Sequence, residues 1–202
     1  MRLIAPLAAA LFLFGCKTTP EPQLAPSDYQ ISYGRDADTG WLIARSAGNH
    51  NVEDNRAYSN MTSQRLIFWV EAMKEETGKT RVFFVGQRVR RLTEDSGREP
   101  GRSGRIDLTN PAWVGPGYKE ADLQLRWRDI RCFGQAYFCN QTDMMEITLT
   151  DEMLANILAS DASSIPIAVD RKTNIDWRIP KNELIAVLEE LERRTETDDA
   201  NA

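Results

Sequence analysis

The residues of this chain that could do chemistry are few: three cysteines, a single histidine and one segment dense in arginine. Cys132 and Cys139 enclose Phe133-Gly134-Gln135-Ala136-Tyr137-Phe138, where Gly134 lets the chain turn back. A thioredoxin-type redox pair has two intervening residues, and a zinc site asks for at least two further ligands. In an exported chain an even pair of cysteines is normally a disulfide, so a Cys132–Cys139 bridge is expected. His50 would have to be the base of any serine or cysteine hydrolase, because that work needs a group titrating near neutral pH. It lies in Gly48-Asn49-His50-Asn51, a polar stretch, and the chain has no Gly-x-Ser-x-Gly elbow. A surface histidine is the expected reading. Asp36-Ala37-Asp38-Thr39-Gly40 has the spacing of a calcium loop but runs straight into Trp41-Leu42-Ile43, so a hairpin turn is favoured.

The arginines at 81, 88, 90, 91, 98, 102 and 105 form a locally basic segment, interrupted by Glu94, Asp95 and Glu99. The plainer reading is that Arg88, Arg90 and Arg91 solvate a strand edge. The functional reading takes Arg88, Arg90, Arg91, Arg98, Arg102 and Arg105 as a binding patch for an envelope protein, lipopolysaccharide or another anionic partner. No catalytic residue, metal site or cofactor is read from the mature part of the chain.

The amino-terminal stretch says most about location. Arg2 precedes an apolar run that ends at Leu13-Phe14-Gly15-Cys16, too short to cross a bilayer but of secretory length. Those last four residues resemble the lipobox of bacterial lipoprotein precursors. The resemblance implies cleavage after residue 15 and lipidation of Cys16. Lys17 stands where inner-membrane lipoproteins commonly carry Asp, which implies an outer-membrane anchor facing the periplasm. Multiple acyl chains would hold firmly, at about 0.8 kcal/mol per buried methylene. The whole chain carries a formal charge of −5, and the leader removes one arginine and no acid, so nucleic acid is not an expected partner.

The elements that must position these residues follow from their patterning. Residues 16–28, with three prolines, read as a tether, and one globular domain is expected over 29–193. Tyr29–Tyr33 and Trp41–Ala44 read as an opening hairpin, and residues 46–64 as a polar loop. Arg65–Met73 and Thr80–Arg90 form a second hairpin, and residues 94–104 an exposed loop. Leu123, Leu125 and Trp127 alternate with Gln124, Arg126 and Arg128, which predicts a half-buried strand. Met145–Leu149 is a strand, and Thr150 caps a short helix with Asp151-Glu152 in its first turn. Ile165–Asp170 and Ile175–Ile179 form a further hairpin. Leu184, Val187, Leu188 and Leu191 line a closing helix with Arg193-Arg194 at its carboxyl end. Residues 194–202 are expected to be disordered. The fold class is β-rich α+β, an antiparallel sheet or sandwich with two short helices in the last third.

Over Leu123–Leu191 the order is strand, Cys132, spacer, Cys139, strand, the helix opened by Thr150-Asp151-Glu152-Met153-Leu154, a two-strand unit and a closing helix. That order resembles the carboxy-terminal half of the invasion-associated locus B family of exported alphaproteobacterial proteins. The resemblance implies an exported, non-catalytic β fold. The reading is a lipid-anchored envelope protein with a binding or scaffolding domain. Its alternatives are a surface or secreted host-interaction factor and a periplasmic hydrolase using paired carboxylates.

Overall fold

The computed structural model describes residues 24–47, 50–54, 64–92, 111–133, 138–169 and 176–199. The side chains of 50–54, 64–66, 90–92, 132–133, 138–140, 176–177 and 198–199 lie outside that description. Ten strands join in one antiparallel sheet. They are β1 (Ile31–Arg35), β2 (Leu42–Ser46), β3 (His50–Asp54), β4 (Gln64–Lys74), β5 (Thr80–Leu92), β6 (Ala112–Val114), β7 (Lys119–Phe133), β8 (Phe138–Leu149), β9 (Ser164–Val169) and β10 (Asp176–Pro180). Their order is β1-β2-β4-β5-β8-β7-β6-β9-β10, with β3 also paired to β4. Two helices, α1 (Asp151–Ala159) and α2 (Lys181–Asp199), complete the β-rich α+β fold.

Alternation decides which face is buried. Val82 and Phe84 on β5 stand opposite Leu149 and Ile147 on β8, and opposite Ala72 and Val70 on β4. All are buried, and one continuous core joins them to Ile165, Ile167 and Ile179 and to Leu184, Val187 and Leu191 of α2. Helix α2 lies against β1, β2 and β4 and also touches β9 and β10. One helix therefore meets both ends of the strand order, and the twisted sheet curls around it. Buried Ser46 fastens it: its hydroxyl donates to Glu183 Oε1 at 2.5 Å and accepts from Val70 N at 2.9 Å.

The two hairpins expected over Tyr29–Ala44 and Arg65–Arg90 form, and β9 pairs with β10 as expected, although the turn between them, 170–175, lies outside the described residues. At the first, Asp36 Oδ1 accepts from the Thr39 amide and hydroxyl, both at 2.8 Å, and Gly40 takes φ +72°. These bonds hold the Asp36 carboxyl below its usual range, so the loop uses its own carboxylate to make a turn. Thr150 caps α1 by accepting from the Met153 amide at 3.2 Å.

Four expectations are corrected. Within residues 46–64, read as loop, His50–Asp54 is a strand on β4, paired through its backbone despite polar side chains. Helix α2 does not stop near Arg194 but runs to Asp199, so the tail expected over 194–202 is helical through that residue. Arg193 and Arg194 are accordingly not in its last turn; both pair with Glu190 one turn back. The third correction concerns β7. A bulge between Leu125 and Trp127 sets Leu125 against Met145 but Trp127 against Met144, so the two no longer share a face. The fourth, at Arg88, belongs to the site below.

Gly86 is the one β5 position where a side chain has no room. The ring of buried Phe68, its cross-strand partner, covers it, and a Cβ would lie 2.4 Å from Phe68 Cε1. Gly86→Ala should lower the urea midpoint by the equivalent of about 1–3 kcal/mol, the usual cost of overpacking. An unchanged midpoint would show that the ring moves aside freely.

Candidate functional site

Three adjacent strands place Arg88, Asp143 and Arg128 in one row. Arg88 on β5 is the register partner of Asp143 on β8, which is in turn the partner of Arg128 on β7. The β7 bulge makes this row possible. In strict alternation Arg128 would share a face with Gln124, on the side opposite Leu123; the extra residue turns it toward Asp143.

Asp143 is saturated. Its Oδ2 accepts from Arg88 Nη2 at 2.5 Å, and its Oδ1 from Arg128 Nε at 2.6 Å. Gln141 Nε2 donates to both oxygens, at 2.8 and 3.0 Å. Burial pushes the Asp143 carboxyl up, but the bonds from Arg128, Arg88 and Gln141 outweigh it and hold the carboxyl below the usual range. The side chains of Arg88 and Asp143 are each 1% exposed, whereas that of Arg128 is 33% exposed. Two cations share one carboxylate, so the row carries one net positive charge. Arg88 Nε and Nη1 are buried and have no hydrogen-bond partner among the described residues.

Arg88 therefore does not solvate a strand edge, and it is not an exposed member of a binding patch. Strand β5 is central, held by β4 on one side and β8 on the other as far as Arg90, and position 88 is in phase with Val82 and Phe84. Arg90 and Arg91 continue β5 to the end of the sheet where β4 and β8 begin and β7 ends. The chain leaves this end at Leu92 toward Arg98, Arg102 and Arg105, which lie outside the described residues, as does Cys16.

Cys132 and Cys139 belong to the same end. They are direct register partners on β7 and β8. Opposed residues in an antiparallel pair have Cα atoms about 4.5–5.5 Å apart, within the roughly 4.4–6.8 Å that a disulfide spans. Peptide mapping of the unreduced protein should yield a fragment linking the two. Replacing both by Ser should weaken the fold by roughly 2–3 kcal/mol without abolishing it. Free thiols at both positions would refute the bridge. His50 stands opposite Phe68 in the β3–β4 register, and its side chain lies outside the description.

A second charged cluster occupies the other face. Glu71 accepts from Arg45 Nε at 2.8 Å and Arg126 Nη2 at 2.7 Å, and Arg126 also binds Glu146. Arg45 lies over Trp69 and Arg126 over Phe83. Burial pushes the Glu71 carboxyl up, but Arg126 and Arg45 bring it below the ordinary range. This network balances its charges. Neither Glu71 nor Asp143 has the raised pKa that a general acid of a paired-carboxylate hydrolase needs. A shallow cleft of about 280 Å³ between Tyr29, Ile31 and α2 holds Glu190 and Arg193, already bonded to each other.

Among the described residues no group of three or more His, Cys, Asp or Glu could hold a metal ion. Comparison with protein-family models, curated proteins and solved structures finds no match. The reading of the site therefore rests on its geometry.

Proposed function

We propose that this chain is a lipid-anchored protein of the bacterial cell envelope, facing the periplasm, whose β-rich domain binds an anionic partner rather than catalysing a reaction. The Arg88–Asp143–Arg128 row carries this reading. It sets two arginines on one carboxylate near the end of the sheet from which Arg90, Arg91 and the segment bearing Arg98, Arg102 and Arg105 depart. The anchor rests on the lipobox-like Leu13-Phe14-Gly15-Cys16 and on Lys17 after it. An envelope protein or lipopolysaccharide offers the matching charge.

The test is the triple variant Arg98→Ser, Arg102→Ser, Arg105→Ser. In pull-downs from detergent-solubilised envelope, the wild-type chain should retain its partner at low salt and lose it progressively as salt rises. Exposed charges are screened within about 8–10 Å at physiological ionic strength. The triple variant should retain several-fold less at low salt. If it retains as much, and His50→Ala instead removes an envelope phenotype, the binding reading yields to an enzymatic one.

A further inference from the structure

We infer that the Arg88–Asp143–Arg128 row is a binding site for an oxyanion, carboxylate or phosphate, carried on an apolar body. This deepens the reading of the domain as a binding module and rests on it. The first observation is the state of Arg88. A guanidinium has five N–H donors and no acceptor, and cannot shed its charge in a protein. Here Nη2 binds Asp143, while Nε and Nη1 are buried without a partner among the described residues. Asp143 cannot supply one, because its two oxygens already accept from Arg88, Arg128 and Gln141. Buried donors of a charged group are expected to be bonded, and the described residues supply this pair with no acceptor. The net positive charge of the row selects an anionic one. Carboxylates and phosphates suit a guanidinium best, since their oxygens accept two parallel N–H bonds.

The second observation concerns the surroundings of Arg128, the solvent-reached end of the row. Leu125 pairs with Met145, Arg128 with Asp143 and Ile130 with Gln141, so the register places all three β7 residues on one face. Leu125 is 37% exposed and Ile130 53% exposed. Two exposed aliphatic side chains thus flank the accessible cation, on the face that carries Arg88. A ligand whose anionic head meets the arginines would lay an apolar body along them. Free amphiphiles and lipid headgroups share that chemistry.

The experiment is a titration of the full chain in non-ionic detergent, observed through the ¹H–¹⁵N signals of arginine Nε. The Arg88 signal is assigned by its absence in the double variant Arg88→Met, Asp143→Leu. That variant removes both buried charges together and leaves only the solvent-reached Arg128 without its carboxylate. Hexanoate and hexyl phosphate should shift the Arg88 and Arg128 signals saturably and raise the melting temperature. Inorganic phosphate should do so at least threefold more weakly. The double variant should fold and gain no melting temperature from any probe. Vesicles of phosphatidylglycerol, compared with phosphatidylcholine, distinguish the sources. A response to these vesicles as well as hexyl phosphate indicates a lipid headgroup, and a response to hexyl phosphate alone a free amphiphile. Absence of a saturable shift with every probe would overturn the inference, as would an equal melting-temperature gain in the double variant. Equal binding of hexanoate and acetate would remove the apolar body. A failed titration alongside an intact effect of the Arg98, Arg102, Arg105 triple variant would remove this site and leave the proposed function standing.

Discussion

Asp143→Ala should destabilise the domain by about 3–5 kcal/mol, the range expected when one partner of a buried ion pair is removed. The variant leaves Arg88 charged, 1% exposed and deprived of the one acceptor it has among the described residues. For a domain of this size, each kcal/mol moves the melting temperature by roughly 2–4 °C, so a drop near 10 °C or more is expected in calorimetry. The double variant Arg88→Met, Asp143→Leu should lie much nearer the wild type, because the one charge it leaves without its carboxylate, Arg128, is 33% exposed and reaches solvent. If Asp143→Ala and the double variant melt together, burial of the row contributes nothing and Arg88 reaches solvent after all.

The same carboxylates set the acid limb of stability. Asp143 and Glu71 are both held below the ordinary range near 4 by their arginine partners. A depressed carboxyl binds fewer protons folded than unfolded, so its contribution is fully present above the unfolded value and disappears as pH falls through the folded one. Urea midpoints should therefore stay level from pH 7 to about 5 and fall below about 4. In the double variant the fall should be shallower, since the Asp143 contribution is gone while those of Glu71 and the other depressed carboxyls, Asp36 and Glu190, remain.

How much of this was legible in the sequence depended on whether a local signal existed. The β4–β5 hairpin was, because apolar runs flank a polar turn closed by Gly78 at φ +82°. The α1 cap was, because Thr150 followed by Asp151-Glu152 is a local chemical signature. Strand β3 was not, since His50–Asp54 has neither alternation nor β-branched density and is a strand only because β4 offers a backbone edge. The site was half legible. Arg88 is in phase with Val82 and Phe84, and Asp143 with Met145, Ile147 and Leu149. A charge in phase with a buried row is a signal for a buried ion pair. On β5 it was obscured because Phe83 and Val85, on the opposite face, are buried as well. The phase of Arg128 could not be read at all, because the bulge that reverses it has no residue signature in Leu125-Arg126-Trp127. The continuation of α2 was hidden by its polar sequence, although Thr195 falls one turn after Leu191 and is buried against it.

The Cys16→Ser chain should remain uncut, take up no palmitate and be recovered outside the membrane fraction. Only the thiol matches the residue that lipobox-bearing precursors acylate, so the variant loses every chain at once. Residues 3–15 are too few to span a bilayer as a helix, which needs about 20 apolar residues. No helix among the described residues is long and apolar enough to cross one. A single acyl chain binds a bilayer only marginally, so the proposed anchor needs more than one. The tether adds a geometric consequence. The Leu24 carbonyl accepts from Asn182 Nδ2 at 2.8 Å, so the chain is already held to the start of α2 at that point. Leu24 lies eight residues after Cys16, a span of at most about 29 Å when fully extended. An acylated Cys16 would keep the start of α2 within that distance of the bilayer surface. Normal palmitate labelling and membrane recovery of Cys16→Ser would remove the anchor from the proposal, and leave the arginine row as a site in a protein held elsewhere by other means.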